Sequence, residues 1–179
     1  MVRPPRSTVL TTPRLLLRPS DGGDAARAFE IRSDPAVSRM LSVARFPPDQ
    51  GETADWFADH PREWAEGLAF RFAIERHDRV IGLIDLDDVS LDGREAEIGV
   101  WLEQACWGRG YAGEAARAIV DWAFGPLGLT RIRAGHAQDN AGSARMVQAF
   151  GFRHVGDVAV PSRSRGEDVL QRRYVLHRS

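Results

Sequence analysis

Trp107-Gly108-Arg109-Gly110-Tyr111-Ala112-Gly113 crowds glycine into a short segment directly ahead of a helical pattern, Glu114 to Phe124, with Ala115, Ile119, Trp122 and Ala123 as its apolar stripe. Glycine lets backbone come close to a ligand. A loop that runs into a helix N-terminus aims free N–H groups and the positive end of the helix dipole outward, which makes a phosphate cradle. The plainer reading is a tight turn that is merely Gly-rich. The spacing also fits Gly-x-Gly-x-x-Gly, the dinucleotide fingerprint. That fingerprint opens a strand–helix–strand unit whose second strand closes on an acid about 20 positions later. Here the next strand, Arg131 to Ala137, ends without one, and Asp139 comes later, inside a turn. No Gly-Lys-Ser/Thr follows, so a kinase-type phosphate loop does not fit either.

Upstream of the loop the period is two. Ala69 to Ile74 and Val80 to Leu86 read as strands joined by a turn at His77-Asp78, and Asp92-Gly93 is a hairpin signal. Glu95 to Leu102 alternates, with Ala96, Ile98, Val100 and Leu102 on one face and Glu95, Glu97, Gly99 and Trp101 on the other. These strands make an antiparallel meander. Before them lie a short strand at Leu15 to Arg18, a helix from an Asp24 N-cap to about Arg32, a short helix capped by Asp34-Pro35, and a helix from Asp49 to about Trp64. After the loop the pattern alternates: the strand Arg131 to Ala137, a helix from Asn140 to Phe150 stopped by Gly151, and a closing pair at Phe152 to Val160 and Val169 to Leu176. Residues 1–11 read as a loose N-terminal arm and 12–179 as a single domain.

Composition bounds the rest. A chain of 179 residues with 43% apolar and 27% charged residues is ordinary for one globular domain and excludes a disordered or fibrous chain. The net charge of −1 supplies no global field for nucleic acid or membrane. Every basic residue other than His is Arg. The lone Cys106 forms no internal disulfide, and no Cys/His cluster has zinc spacing. No apolar run reaches the ~20 residues of a membrane span, and no signal-peptide core follows the basic start. A metal-free protein of the cytoplasm is the expectation.

The segment Gly108-Arg109-Gly110-Tyr111-Ala112, with Glu114-Ala115, resembles the acetyl-CoA loop of the GCN5-related N-acetyltransferases. The family pattern Gln/Arg-x-x-Gly-x-Gly/Ala starts at 107, where this chain has Trp, a residue familiar in the branch that acetylates ribosomal-protein N-termini. Asn140 to Ser143, followed by Gly151-Phe152, resembles the family's Asn-x-x-Ser/Ala…Gly-Phe helix. Thr12 to Arg18 resembles the opening strand of that branch, and Glu97 to Leu102 its fourth strand. Four motifs in order cover about Thr12 to Leu176. The resemblance implies an α/β (α+β type) fold of the acyl-CoA N-acyltransferase kind: a mixed, largely antiparallel sheet splayed between its fourth and fifth strands and flanked by helices.

It also implies roles. The CoA pyrophosphate would lie on backbone N–H groups of Gly108, Arg109, Gly110, Tyr111, Ala112 and Gly113, with Arg109 as a possible side-chain contact and Tyr111 otherwise packing. Val100 and Leu102 would offer backbone groups to pantetheine, and Asn140 would touch CoA beyond capping its helix. Gly99 would mark the bulge at which the strand splays, its amide facing the thioester oxyanion. Glu97 is the expected general base, with His136 as rival and Asp85, Asp87 and Asp88 as an amine-binding rim. The Tyr that serves many relatives as acid falls at Val147 here, which leaves Ser143 as stand-in. Cys106 reads as buried packing; Trp56, Phe57 and Trp64 read as core or as walls of the acceptor pocket. The implied reaction is direct acetyl transfer from acetyl-CoA to a primary amine in a ternary complex, first a protein N-terminal α-amine, then a polyamine, amino acid or antibiotic. A non-catalytic acyl-CoA sensor is the reading from another class. No nucleic acid or membrane partner is expected; the oligomeric state is monomer or homodimer.

Overall fold

Alternating side chains and tight turns build one sheet through the middle of the chain. The computed structural model describes residues 3–41 and 43–178. Its strands are β1 (Leu10–Thr11), β2 (Leu16–Pro19), β3 (Phe70–Arg76), β4 (Arg79–Ser90), β5 (Glu95–Leu102), β6 (Arg131–Ala137), β7 (Arg153–Ser162) and β8 (Glu167–His177). They lie in the order β1-β2-β3-β4-β5-β6-β8-β7. Among the described residues only β5 and β6 run parallel, and the connection that this demands is the helix α4 (Tyr111–Phe124). The other helices are α1 (Ala25–Arg32), α2 (Pro35–Ser38), α3 (Gln50–Glu66) and α5 (Ala141–Ala149). Among them none is long and apolar enough to cross a membrane.

The register explains the shape of the sheet. β5 pairs with β6 from Glu95↔Arg131 to Ile98↔Ala134 and then stops, although both strands continue. On its other edge β5 stays paired with β4 from Asp87↔Glu97 to Gly82↔Leu102. The sheet therefore splits open between β5 and β6, the fourth and fifth strands if the two-residue β1 is left uncounted. No bulge sits at Gly99, contrary to expectation: Gly99 pairs in register with Asp85, and the irregularity lies between Asp87 and Ser90, where Asp88 has φ +46°. Gly99 meets a different need. A Cβ there would come within 2.7 Å of the Asp85 carboxylate.

Aromatic side chains fill the larger core. Trp64 of α3 meets Phe70 and Phe72 of β3 edge-on at 5.0 and 5.1 Å, and both phenyl rings meet Trp122 of α4. A smaller cluster joins Ala25, Ala28, Phe57 and Leu83, with Trp56 and Trp101 against it. Two local expectations fail. Asp24 does not cap α1 with its side chain; Asp21 caps the preceding 3-10 turn, and Asp24 pairs with Arg18 at 2.6 Å. The stretch read as a loose arm is tied down where it is described: Leu10–Thr11 pairs with β2, Trp64 Nε1 donates to the Pro4 carbonyl at 2.8 Å, and Arg3 Nη1 donates to the Ala65 carbonyl at 2.9 Å.

Candidate active site

The glycine loop reaches its helix sooner than the apolar stripe implied. α4 begins at Tyr111, with Gly110 as N-cap. Gly108 and Gly110 sit at φ +70° and +81°, a region that costs a residue with a Cβ. No side chain caps α4, so its first-turn N–H groups are left for a ligand. A side chain at Gly108 or Gly113 would meet only open space. That is room over a helix N-terminus, which suits an anion.

Thr12 and Arg14 hold this cradle through Glu114. The Glu114 carboxylate accepts from Thr12 Oγ1 at 2.6 Å, Arg14 N at 2.8 Å and Arg14 Nε at 2.6 Å. Burial works against its charge, but the Thr12 and Arg14 bonds hold the carboxyl below the usual range. Arg14 Nη1 then donates to the Arg109 carbonyl at 3.0 Å, fixing the loop itself. Arg14 and Arg76 stack over Tyr111, 4.5 and 5.2 Å from its centroid. Arg14 and Glu114 lay in motifs read from the sequence, but their pairing across 100 positions has no local signature. Arg109 is not on the cleft wall; its guanidinium is turned back onto the Ala105 carbonyl at 3.1 Å.

The split edge offers backbone. Glu103 N donates to Ile81 O on the β4 side at 2.8 Å, so strand alternation turns the backbone groups of Leu102 and Val100 toward the split. The Leu102 carbonyl is taken by the Trp107 indole N–H at 2.9 Å. Val100 keeps both its N–H and its C=O for a ligand. A cleft of about 1190 Å³ runs from the cradle through the split, with Val100, Gly110, Gly113, Asn140 and Ser143 on its wall. Asn140 caps α5, accepting from Ser143 N at 3.1 Å. Val147, on the same wall, is buried. These features fit an acyl-CoA: an uncapped helix start for phosphate and a strand edge for an extended amide chain.

Beyond the split the wall is charged. Glu97 is there, but Arg173 Nη1 donates to its Oε1 at 2.9 Å and Arg133 Nη1 to its Oε2 at 3.3 Å. Arg133 also binds Asp88 at 2.6 Å. Asp85 is buried and shares one cation: Arg71 donates to Asp85 at 2.6 Å, to Glu63 at 2.7 Å and to Asp87 at 3.2 Å. Burial pushes the Asp85 carboxyl up to about 6, against Arg71 and with help from Asp87. Its Oδ1 faces Gly99, next to Val100. His136 is buried and stacked on Tyr174, its Nδ1 bonded to the Ala137 carbonyl at 2.8 Å, while its Nε2 has no partner among the described residues. Burial, then the neighbouring Glu103 carboxylate, push the Cys106 thiol up.

Comparison with known proteins places the chain in a family and a fold. Residues 14–153 match the family described as Acetyltransferase (GNAT) domain. The chain is 32% identical over 149 residues to the uncharacterized N-acetyltransferase p20 of Bacillus licheniformis, covering 82% of this chain and 83% of that one. A solved structure of RimL, a ribosomal L7/L12 alpha-N-protein acetyltransferase in complex with coenzyme A, superposes with a TM-score of 0.85 at 17% identity over 95% of this chain and 98% of that one. The microcin C7 self-immunity acetyltransferase MccE, in complex with acetyl-CoA and AMP, superposes with a TM-score of 0.80 at 16% identity over 93% and 94%.

Proposed function

This chain belongs to the GNAT acetyltransferase family and is an acetyl-CoA-dependent N-acetyltransferase, and we propose that it acetylates a protein N-terminal α-amine by direct attack in a ternary complex. The alpha-N acceptor named for RimL supports the choice of amine. The cosubstrate would lie with its pyrophosphate on the N–H groups at the start of α4 and its pantetheine arm along Val100, with the Leu102 N–H and Asn140 beside it. The thioester then sits at the split, opposite Gly99.

The placement of Asp85 carries the chemistry. A primary amine is mostly protonated near neutral pH and must lose a proton to attack. Glu97 has both oxygens held by arginines. Asp85 has an oxygen facing Gly99 and a pKa of about 6, close to working pH, where general bases are most effective. In this reading Asp85 takes a proton from the ammonium and passes it to solvent; the free amine nitrogen then bonds to the acetyl carbon, the C–S bond breaks, and the nitrogen's second proton goes to Asp85. The leaving thiolate is protonated through Ser143, whose hydroxyl takes back a proton from water, so that, counted from the free amine, the net transfer is one proton from nitrogen to sulfur. Glu97 fixes Arg133 and Arg173 around the site.

One observation favours a small amine as the second reading. The β7–β8 turn is strapped to the segment after α2: Arg165 Nε donates to the Arg39 carbonyl at 2.9 Å, Ser164 Oγ to the Leu41 carbonyl at 3.2 Å, and Arg165 pairs with Asp139 at 2.9 Å. Such a strap disfavours a peptide laid across this side of the cleft and favours an amine that enters end-on. Thiol release measured against N-terminal peptides, polyamines and aminoglycosides tests the proposal. Peptides should lead; turnover confined to small amines would replace the acceptor, and acetyl-CoA binding with no turnover for any amine would make the protein a sensor.

A further inference from the structure

We propose that the acceptor carries an anion besides its amine, and that Arg32 receives it. This rests on the acetyl-transfer reading above and specifies its substrate class. Arg32 closes the last turn of α1 on the wall of the cleft. It forms no ion pair among the described residues, and its Nε is buried without a hydrogen-bond partner. Burial drives its pKa down, with Arg163 adding and Glu52 opposing. An arginine desolvated in this way lacks the bidentate anion that its geometry suits.

Neighbouring charge leaves that need unmet. Arg45, from the segment between α2 and α3, and Arg163, from the end of β7, share Glu52 at 3.8 and 3.5 Å. Two guanidiniums from other parts of the chain thus share the exposed Glu52, which forms no ion pair with Arg32 among the described residues. Asp49, the other carboxylate on this part of the wall, is occupied capping α3 through the Glu52 N–H at 2.8 Å. Trp56 joins the two poles of the pocket. The Arg71 guanidinium, which holds Asp85, lies 5.1 Å from its ring centroid, and the Arg32 guanidinium lies 5.7 Å from the same ring. An acceptor with its amine at Asp85 can therefore extend past Trp56 and place a carboxylate or phosphate at Arg32.

Matched probes separate charge from shape and peptide from small molecule. One pair is the amidated peptides Ser-Glu-Ala-Ala and Ser-Gln-Ala-Ala; the other is β-alanine and β-alaninamide. Both acetylation rate and binding to the CoA-loaded protein are measured, in the parent and in Arg32→Gln. The anionic member of at least one pair should be favoured about tenfold in kcat/KM or Kd, the usual worth of one charge-assisted contact. That ratio should shrink with added salt and fall near unity in Arg32→Gln, while Arg32→Lys keeps part of it. The pair that discriminates identifies the source of the anion. No discrimination by the parent in either pair, or a ratio untouched in Arg32→Gln, overturns the inference while leaving acetyl transfer intact. Failure of the parent itself to bind acetyl-CoA would instead strike the reading beneath it. An unchanged acetyl-CoA affinity in Arg32→Gln certifies its fold.

Discussion

Asp85 shows how a site residue is made by its partners rather than by its own position. Arg71 is divided among Glu63, Asp85 and Asp87, so it cannot fully compensate a carboxylate taken out of water. With saturating amine, kcat should fall below pH 7 with an apparent pKa near 6. Asp85→Asn should lose that limb and about 10²–10⁴-fold in rate. Glu97→Gln should lose less than about tenfold, because it removes a holder of Arg133 and not the proton acceptor. The reverse ranking would return the role to Glu97, and collapse of His136→Ala alone would give it to His136. Linkage supplies a second check. A folded pKa of about 6, above the ~3.9 of an unfolded Asp, means that the ionised form destabilises the fold. The parent should therefore lose stability relative to Asp85→Asn as pH rises from about 4 through 6, read as the difference in Tm. From sequence, alternation placed Glu97 on the correct face but could not show that Arg133 and Arg173, 36 and 76 positions away, would occupy it.

Helix starts carry most of what lay legible at the level of elements. Asp34 and Asp49 cap α2 and α3 as their residue types require, and Asn140 caps α5. Asp24 stands at the N-cap position of α1 but gives no side-chain cap. Its carboxylate is drawn to Arg18 of β2 at 2.6 Å instead. α4 is the element on which function turns, and its start is held from outside by Thr12 and Arg14 through Glu114. Glu114→Ala removes those bonds and a favourable charge from the first turn. It should cost about 2 kcal/mol of stability and weaken acetyl-CoA, because Arg14 no longer anchors the loop. Denaturant titration and calorimetry would measure the two losses. Gly110→Asp places a carboxylate where the phosphates belong and a Cβ at φ +81°; acetyl-CoA affinity should drop at least tenfold, about 1.4 kcal/mol. An unchanged affinity would put the cradle elsewhere.

Across the whole molecule the strand periodicity and the turns foretold the meander, and the parallel pair followed from a helix between β5 and β6. The tied-down N-terminal segment and the strap from the β7–β8 turn to the segment after α2 were not legible, because both depend on side chains that donate to carbonyls far away in the chain. Trp64 joins several layers at once: it packs on β3 and α4 and holds Pro4. Trp64→Ala should cost about 3–5 kcal/mol, read in the denaturation midpoint. The central claim is that the sheet opens between β5 and β6 so that acetyl-CoA lies along Val100 with its phosphates at the start of α4. Amide hydrogen exchange with and without acetyl-CoA tests it most directly. Exchange should slow at the Val100 amide and at the amides from Gly108 to Gly113, and change little in β7. Saturable binding that leaves those amides exchanging at their free rate would contradict it.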